Sequence, residues 1–396
     1  MPHLVTMGLA RFKCGRNLVP RQADNRITAV ASQFRMMVRN GWRVAHVVAT
    51  RRLGLAPRYL PVVLMFITDK CNLRCRMCGV CELERDRSEE RELSTEEWFS
   101  VIDAAQRLGT MLVSISGGEP LLRADLYDII GRARDRDMGV HLCTNGTLMT
   151  ADTARRLRDS GVSAVSVSLE SAHAELHERL RGKGSFAPAL AAIRLLRETA
   201  PDIRVGINYL ITRQNYMNMA GMVEFAESLG VQQIKFAPIH TNLLHRLKHI
   251  EQYADLLFTQ EDLQGLEEQV KLLSAACARS SLLTTSATFF TGIASLYGAP
   301  HAFRCCAGWA AVAVGPTGSV SPCADMDGIL SVRQRPLDEI WRSREFHQQR
   351  KRVRSCNSAC WDTTNTELSL RLRPTALLGE FLQNWRDVNF YFGGKK

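Results

Sequence analysis

Phe66-Ile67-Thr68-Asp69-Lys70-Cys71-Asn72-Leu73-Arg74-Cys75-Arg76-Met77-Cys78-Gly79 follows directly on an apolar run, Pro61 to Ile67, whose length predicts a buried strand. The three cysteines are spaced C-x3-C-x2-C. Three thiolates on one short loop suit three irons of a four-iron, four-sulfur cluster and leave the fourth iron without a protein ligand. An iron of that kind binds a small molecule and does chemistry as well as carrying electrons. Two plainer readings compete with it: a zinc site, and thiols with no ligand role.

The chain has 396 residues, 45% apolar and 23% charged, the composition of a globular protein with two or three structural units. No apolar run reaches the roughly 18 residues of a membrane-spanning helix. The start lacks a compact apolar segment with a small-residue cleavage site, which argues against secretion and for the cytoplasm. Twelve cysteines, many closely spaced, fit metal or cluster ligation in a reducing compartment better than disulfides. The net charge of +11 is concentrated near the start, where residues 1–60 hold eleven Lys or Arg and one acid, Asp24. Because basic residues are not spread over the folded part, a nucleic-acid-binding surface is not expected.

Residues 1–57 form a basic N-terminal extension. Within it, Ser32 to Leu53 shows helical spacing, with Arg35, Arg39 and Arg43 four apart among Phe34, Met37, Val38, Trp42 and Val48. Such a helix either packs its apolar side on the following domain, the reading preferred here, or lies at an anionic membrane surface. Peripheral membrane contact therefore stands as the alternative.

From residue 58 to 240, strand-length apolar runs alternate with helical patterns. The strands are expected at 61–67, 111–116, 139–143, 163–169, 203–210 and 231–238. Helices are expected at 95–108, 124–136, 151–159, 186–198 and 216–228. The first of these helices opens on a capping box, Ser94-Thr95-Glu96-Glu97, and stops at Gly109. Six β/α repeats predict an α/β fold, a partial TIM-like (β/α)6 barrel, with the chemistry at the C-terminal strand ends.

Those ends carry Ser116-Gly117-Gly118-Glu119-Pro120, Cys143-Thr144-Asn145-Gly146, and Ser166-Val167-Ser168-Leu169-Glu170. Paired glycines allow close backbone approach, and a carboxylate accepts from an ammonium. Residues 241–300 read as a helical bridge, helical over 261–279. Cysteines return at Cys305-Cys306-Ala307-Gly308, at Gly318-Ser319-Val320-Ser321-Pro322-Cys323, and at Cys356-Asn357-Ser358-Ala359-Cys360. A short hairpin with cysteines at its base and a later pair suits a second cluster or a tetrahedral zinc, in a small cysteine-rich domain over 301–363. The tail, 364–396, is basic and aromatic and is expected to pack on the barrel or cover the second cysteine site.

Over roughly residues 60 to 363, this pattern resembles the radical S-adenosylmethionine (radical SAM) enzymes. The resemblance implies a 4Fe-4S cluster on Cys71, Cys75 and Cys78 whose open iron binds S-adenosylmethionine. Reductive cleavage then gives a 5′-deoxyadenosyl radical that removes a substrate hydrogen. It further implies that Gly117, Gly118 and Glu119 hold the methionine amino group, that Thr144, Asn145 and Ser168 reach its carboxylate or the ribose, and that Arg181 pairs with the carboxylate. Glu170 is a weaker candidate beside Thr144, Asn145 and Ser168, and Asn208 and Phe236 are weaker candidates for the ribose and adenine. Met77 stands where the family often has an aromatic residue, and its soft thioether is still able to cover the adenine.

The C-terminal cysteines resemble the auxiliary-cluster extensions of that family, the longer SPASM and the shorter twitch. Since no cysteine follows Cys360, one auxiliary 4Fe-4S cluster is expected, on Cys323, Cys356, Cys360 and Cys305, with Cys305 preferred over Cys306. The family also implies a reductant such as flavodoxin or ferredoxin. A small metabolite or lipid-linked substrate is the leading expectation. The 57 residues of the N-terminal extension fall short of the roughly 80 to 90 of a peptide-recognition domain. Peptide maturation is the alternative, and a zinc-stabilised nucleic-acid-binding protein is the remote one.

Overall fold

The computed structural model describes residues 22–80, 90–239, 250–298, 303–356, 360–373, 376, 386–387 and 390–391. Its contacts divide the chain into Met1–Trp42 and Arg43–Lys396. Helix α1 (Gln22–Leu53) contributes to both and starts ten residues ahead of the expected point. In the first unit Val38 and Trp42 are exposed, while the side chains of Phe34, Arg35 and Met37 lie outside the described residues. Among the described residues, no helix is long and apolar enough to cross a membrane.

The second unit is built on the expected alternation. In chain order it runs β1 (Val62–Phe66), α2 (Thr95–Arg107), β2 (Leu112–Ser116), α3 (Leu126–Asp135), β3 (Gly139–Thr144), α4 (Ala151–Ser160) and β4 (Ala164–Ser168). Then come α5 (Ala174–Arg181), α6 (Phe186–Thr199), β5 (Arg204–Ile211), α7 (Met219–Ser228) and β6 (Gln233–Pro238). Helices α8 (Leu263–Arg279) and α9 (Ala287–Ile293) follow. The capping box of α2 forms: Ser94 accepts from Glu97 N while the Glu97 carboxylate accepts from Ser94 N. Helix α5 has no counterpart among the expected helices, because its Ala-Glu-Leu-His-Glu-Arg-Leu-Arg stretch is short and mostly polar.

Strands β1 to β6 pair in parallel in sequence order. Alternation assigns their faces. Val63, Met65, Val113, Ile115, Val140, Leu142, Val165 and Ile207 are wholly buried in the core beneath the helices. Ser114, His141, Cys143, Ser166, Asn208 and Lys235 alternate with the core residues and point into the barrel. There His141 bridges two hydroxyls, Nδ1 at 3.0 Å from Ser114 Oγ and Nε2 at 2.8 Å from Ser166 Oγ. Phe236 belongs to the outer face, against Tyr209 and Phe290, so it fills core.

The C-terminal segment adds β7 (Ala311–Val314), β8 (Ser319–Ser321), β9 (Leu330–Ser331), α10 (Leu337–Arg342), α11 (Arg344–Arg354) and α12 (Asn365–Arg371). Strand β7 pairs in parallel with β1, Val62 opposite Ala311, and β8 and β9 continue antiparallel. The cysteine hairpin therefore extends the barrel's own sheet to nine strands. Arg350 is fully buried between the rings of Trp341 and Phe346 and donates to Gly308 O (2.6 Å) and Trp341 O (2.8 Å). This clamps the Cys305–Gly308 turn to the last helices. In the tail, α12 lies against Cys306 through Asn365 and Ser369, with Asn365 lining the second cysteine cavity. Phe390 is buried against Ala164 and Leu283 and the Tyr391 ring meets His141 edge-on, so the tail's described parts meet both the second cysteine site and the barrel. Trp385 and Phe392 lie outside the described residues.

Candidate functional site

Cys71, Cys75 and Cys78 stand half-buried on the loop that leaves the C-terminal end of β1. The loop is fastened from every side. Thr68 Oγ1 and Asp69 N donate to Glu92 (2.7 and 3.0 Å), and Arg76 N donates to Leu180 O at the end of α5 (2.9 Å). Asn72 is tied to the end of β3 by Asn145 Nδ2 (2.9 Å) and donates to Thr147 Oγ1 (2.8 Å). The Arg76 guanidinium pairs with Asp255 at 2.8 Å.

The end of β2 fits against this loop so closely that only glycine serves. A Cβ on Gly117, whose φ is 137°, would sit 2.3 Å from Thr68 O, and one on Gly118 would sit 2.1 Å from Lys70 O. The backbone hydrogen bonds Gly118 N to Thr68 O (2.7 Å) and Glu119 N to Lys70 O (2.8 Å) close the seam. What the two glycines admit here is the cysteine loop itself.

Glu119 is fully buried. Its carboxylate accepts from Thr144 Oγ1 (2.8 Å), Asn145 N (2.8 Å) and Leu121 N (3.1 Å), joining the ends of β2 and β3. Burial pushes its carboxyl up while those three donors hold it down. Thr144 and Asn145 are thus spent on holding Glu119 and Asn72, beneath the cysteine loop. Ser168 is half-buried at the end of β4, in register with Asn208. Asn208 Nδ2 donates to Cys143 Sγ at 3.6 Å. Met77 packs with the cluster formed by Leu180, Ile239 and Leu256. Arg181 reaches two groups at once: Nε and Nη2 grip Glu170 (2.8 and 2.7 Å), and Nη1 lies 3.9 Å from Cys75 Sγ.

Among the described residues, no three His, Cys, Asp or Glu close around the volume of a single ion. A cubane spreads its thiolates over separate irons, so the fit is tested by what surrounds the sulfurs. Burial pushes the Cys75 thiol up to about 12, with Arg181 pulling it down and the charges of Cys78 and Cys71 pushing it further up. Three half-buried cysteines on one short loop, with the Arg181 guanidinium beside Cys75, are the donor set of a cubane held on three of its irons, and the site fits an iron–sulfur cluster.

The second cysteine group fits more directly. Cys305, Cys323, Cys356 and Cys360 line one cavity of about 310 Å³, together with Arg51, Arg304, Asp325 and Met326. Cys306 is turned away: fully buried, its thiol donates to Asn365 O (3.4 Å) and its N–H to Ser369 Oγ (2.8 Å). Arg51, in the last turn of α1, donates to Cys305 O (3.2 Å), and Val47 packs with Cys306 and Trp309. A smaller cavity of about 160 Å³ lies between the two cysteine regions, lined by Asp69, Gly117, Ser319, Ser321, Met326 and Asp327.

Sequence reasoning passed over Glu92 and Asn72. No motif marks them, since each acts by tying a distant segment to a cysteine loop. Arg123 was equally silent: it donates to Ile67 O (2.8 Å) and Leu93 O (3.1 Å) while pairing with Asp125.

Comparison with known proteins agrees with this geometry. Residues 65–226 match the radical SAM superfamily, and residues 305–362 match the iron–sulfur cluster-binding domain called SPASM. The chain is 31% identical over 297 residues to a PqqA peptide cyclase of Streptomyces rochei, covering 73% of this chain and 77% of that protein. It is 27% identical over 353 residues to an AdoMet-dependent heme synthase of Methanosarcina barkeri, covering 86% and 98%. Among solved structures, SuiB of Streptococcus suis bound to its precursor peptide SuiA superposes with a TM-score of 0.59 at 17% identity, over 76% of this chain and 69% of that one. At that identity the likeness speaks for the fold, a partial barrel with a cluster domain. The chain belongs to the radical SAM superfamily, with a C-terminal SPASM-type domain, and is an enzyme that works with 4Fe-4S clusters and S-adenosylmethionine.

Proposed function

We propose that this enzyme modifies a peptide. The observation that carries the reading is its likeness, at 31% identity over 73% of the chain, to a PqqA peptide cyclase. The fold it shares with a peptide-bound SuiB supports the same view. The expectation of a small metabolite or lipid-linked substrate gives way to this alternative. The cavity of about 160 Å³ between the two cysteine regions has room for one residue-sized group, and Asp69, Ser319, Ser321 and Asp327 offer it polar partners.

In this reading Cys71, Cys75 and Cys78 hold the primary cluster, and Cys305, Cys323, Cys356 and Cys360 hold the auxiliary one. When bound, the primary cluster and S-adenosylmethionine supply a 5′-deoxyadenosyl radical that removes one substrate hydrogen. The chain's own residues do the rest. Gly117, Gly118 and Glu119 fix the floor beneath the cysteine loop, and Thr144 and Asn145 lock that floor to β3. Ser168 and Met77 stand at the rim as cofactor contacts. The barrel walls exclude water and competing hydrogen donors.

A metalloporphyrin substrate is the second reading, favoured by the match to the heme synthase along 98% of that protein. One assay separates the two. The anaerobically reconstituted enzyme is given reductant, S-adenosylmethionine and either short peptides encoded beside its gene or iron porphyrins. Loss of hydrogen from a peptide, with matching 5′-deoxyadenosine, supports the proposal. Turnover with porphyrin alone overturns it.

A further inference from the structure

Arg181 stands where the barrel wall meets the cysteine loop, and its guanidinium joins two groups of opposite character. The Nε–Nη2 edge is committed to Glu170, at 2.8 and 2.7 Å. Glu170 is fully buried, and its other oxygen accepts from Leu210 N at 2.6 Å, so β5 fixes the carboxylate in place. The remaining Nη1 is directed at Cys75 Sγ, 3.9 Å away. The backbone reinforces the arrangement, since Leu180 O accepts from Arg76 N at 2.9 Å.

Two physical consequences follow. A planar fork held on one edge by a buried carboxylate cannot swing away without leaving that carboxylate unpaired, which is strongly unfavourable. The charge on the guanidinium is therefore fixed beside one particular sulfur. Adding an electron to a cluster on that sulfur adds negative charge, and a fixed positive charge nearby favours the reduced state. The edge with which arginine usually grips a carboxylate is already taken, so little of the fork remains for the carboxylate of S-adenosylmethionine.

We propose that Glu170 and Arg181 form a positioning unit for the primary cluster, holding a positive charge against the Cys75 thiolate so that the cluster is more easily reduced. The inference rests on the reading that Cys71, Cys75 and Cys78 carry that cluster. It assigns Arg181 to the cluster's electronics in place of cofactor binding.

The test uses full-length, anaerobically reconstituted enzyme: the parent, Arg181→Gln, Arg181→Lys, and the double variant Glu170→Gln with Arg181→Gln, which leaves no buried unpaired charge. Iron per chain is measured, and the primary cluster is titrated potentiometrically by electron paramagnetic resonance without S-adenosylmethionine. Its signal is identified in the parent as the one that changes when the cofactor is added. The expected result is a shift of the midpoint to more negative potential in both glutamine variants, with return toward the parent in Arg181→Lys. An unmoved midpoint together with weakened cofactor binding overturns the proposal and returns Arg181 to the cofactor's carboxylate. Loss of iron from the double variant also overturns it, since the pair would then build the site without tuning it. A parent with no cofactor-sensitive signal would instead refute the assignment of the three cysteines.

Discussion

Two adjacent cysteines show how much a single side chain's direction decides. Cys305 faces the cavity shared with Cys323, Cys356 and Cys360, whereas Cys306 is buried with its thiol on a carbonyl. Cys305→Ala is therefore expected to lose the auxiliary cluster, while Cys306→Ala keeps it at a modest stability cost of about 1 kcal/mol for one hydrogen bond. Iron content and the optical spectrum of the two purified variants check this. His141 makes a second residue-scale case. Burial, with nearby Lys235 adding to it, holds its imidazole down at about 3, well below its ordinary value, between the hydroxyls of Ser114 and Ser166. A group that refuses its proton when folded contributes stability fully above pH ~6.5. That stability is lost as pH falls, by about 1.4 kcal/mol per unit, until the folded value is reached. Thermal melts of parent and His141→Gln between pH 7.5 and 5.5 should show the steeper decline in the parent (roughly 1.4 kcal/mol across the interval).

At the scale of elements, the cysteine loop is held by chain segments that would clash with any larger residue. Gly118→Ala would place a methyl 2.1 Å from Lys70 O and 2.9 Å from Asp69 O, both backbone atoms that cannot yield without moving Cys71. Overpacking of this kind costs about 1–3 kcal/mol. The expected outcome is loss of the primary cluster's iron with retention of the auxiliary cluster's, read from iron per chain and from the reduced-state spectrum. Helix α5 matters for the same reason. It is only eight residues long, yet its last turn supplies both Leu180 O and Arg181 to the loop.

On the scale of the folded unit from Arg43 onward, the single sheet is decisive. Strand β7 covers the edge of β1 that the barrel's own strands leave open, with Val62 to Met65 opposite Ala311 to Val314. Arg107 on α2 pairs with Asp338 on α10 at 2.7 Å, and Trp341 Nε1 donates to Pro57 O. A protein truncated after residue 300 would expose the backbone donors and acceptors of β1 as an unprotected edge. Such a truncation is expected to aggregate or elute as high oligomers on size-exclusion chromatography, and a soluble, monomeric barrel would contradict this account.

Much of this molecule was legible before its structure. Each of the six strands from β1 to β6 lies within two residues of its expected position, because apolar alternation and the helices between them are local signals. The three-cysteine loop, Gly117-Gly118-Glu119-Pro120 and the second group of cysteines, Cys305, Cys323, Cys356 and Cys360, which line one cavity, were readable for a similar reason, since their spacing is written along the chain. Helix α5 was missed because a short polar helix has no apolar stripe to announce it. The sequence by itself determined the repeat, the cysteine sets and the glycines. Only the tertiary structure decided that the cysteine hairpin joins the barrel sheet through β7, that Glu119 and Asn145 brace the loop, and that Arg181 is pinned between Glu170 and Cys75. Those contacts span up to roughly 250 residues of chain. Pairings at such separation depend on which surfaces meet once the barrel has closed, and no local pattern encodes that.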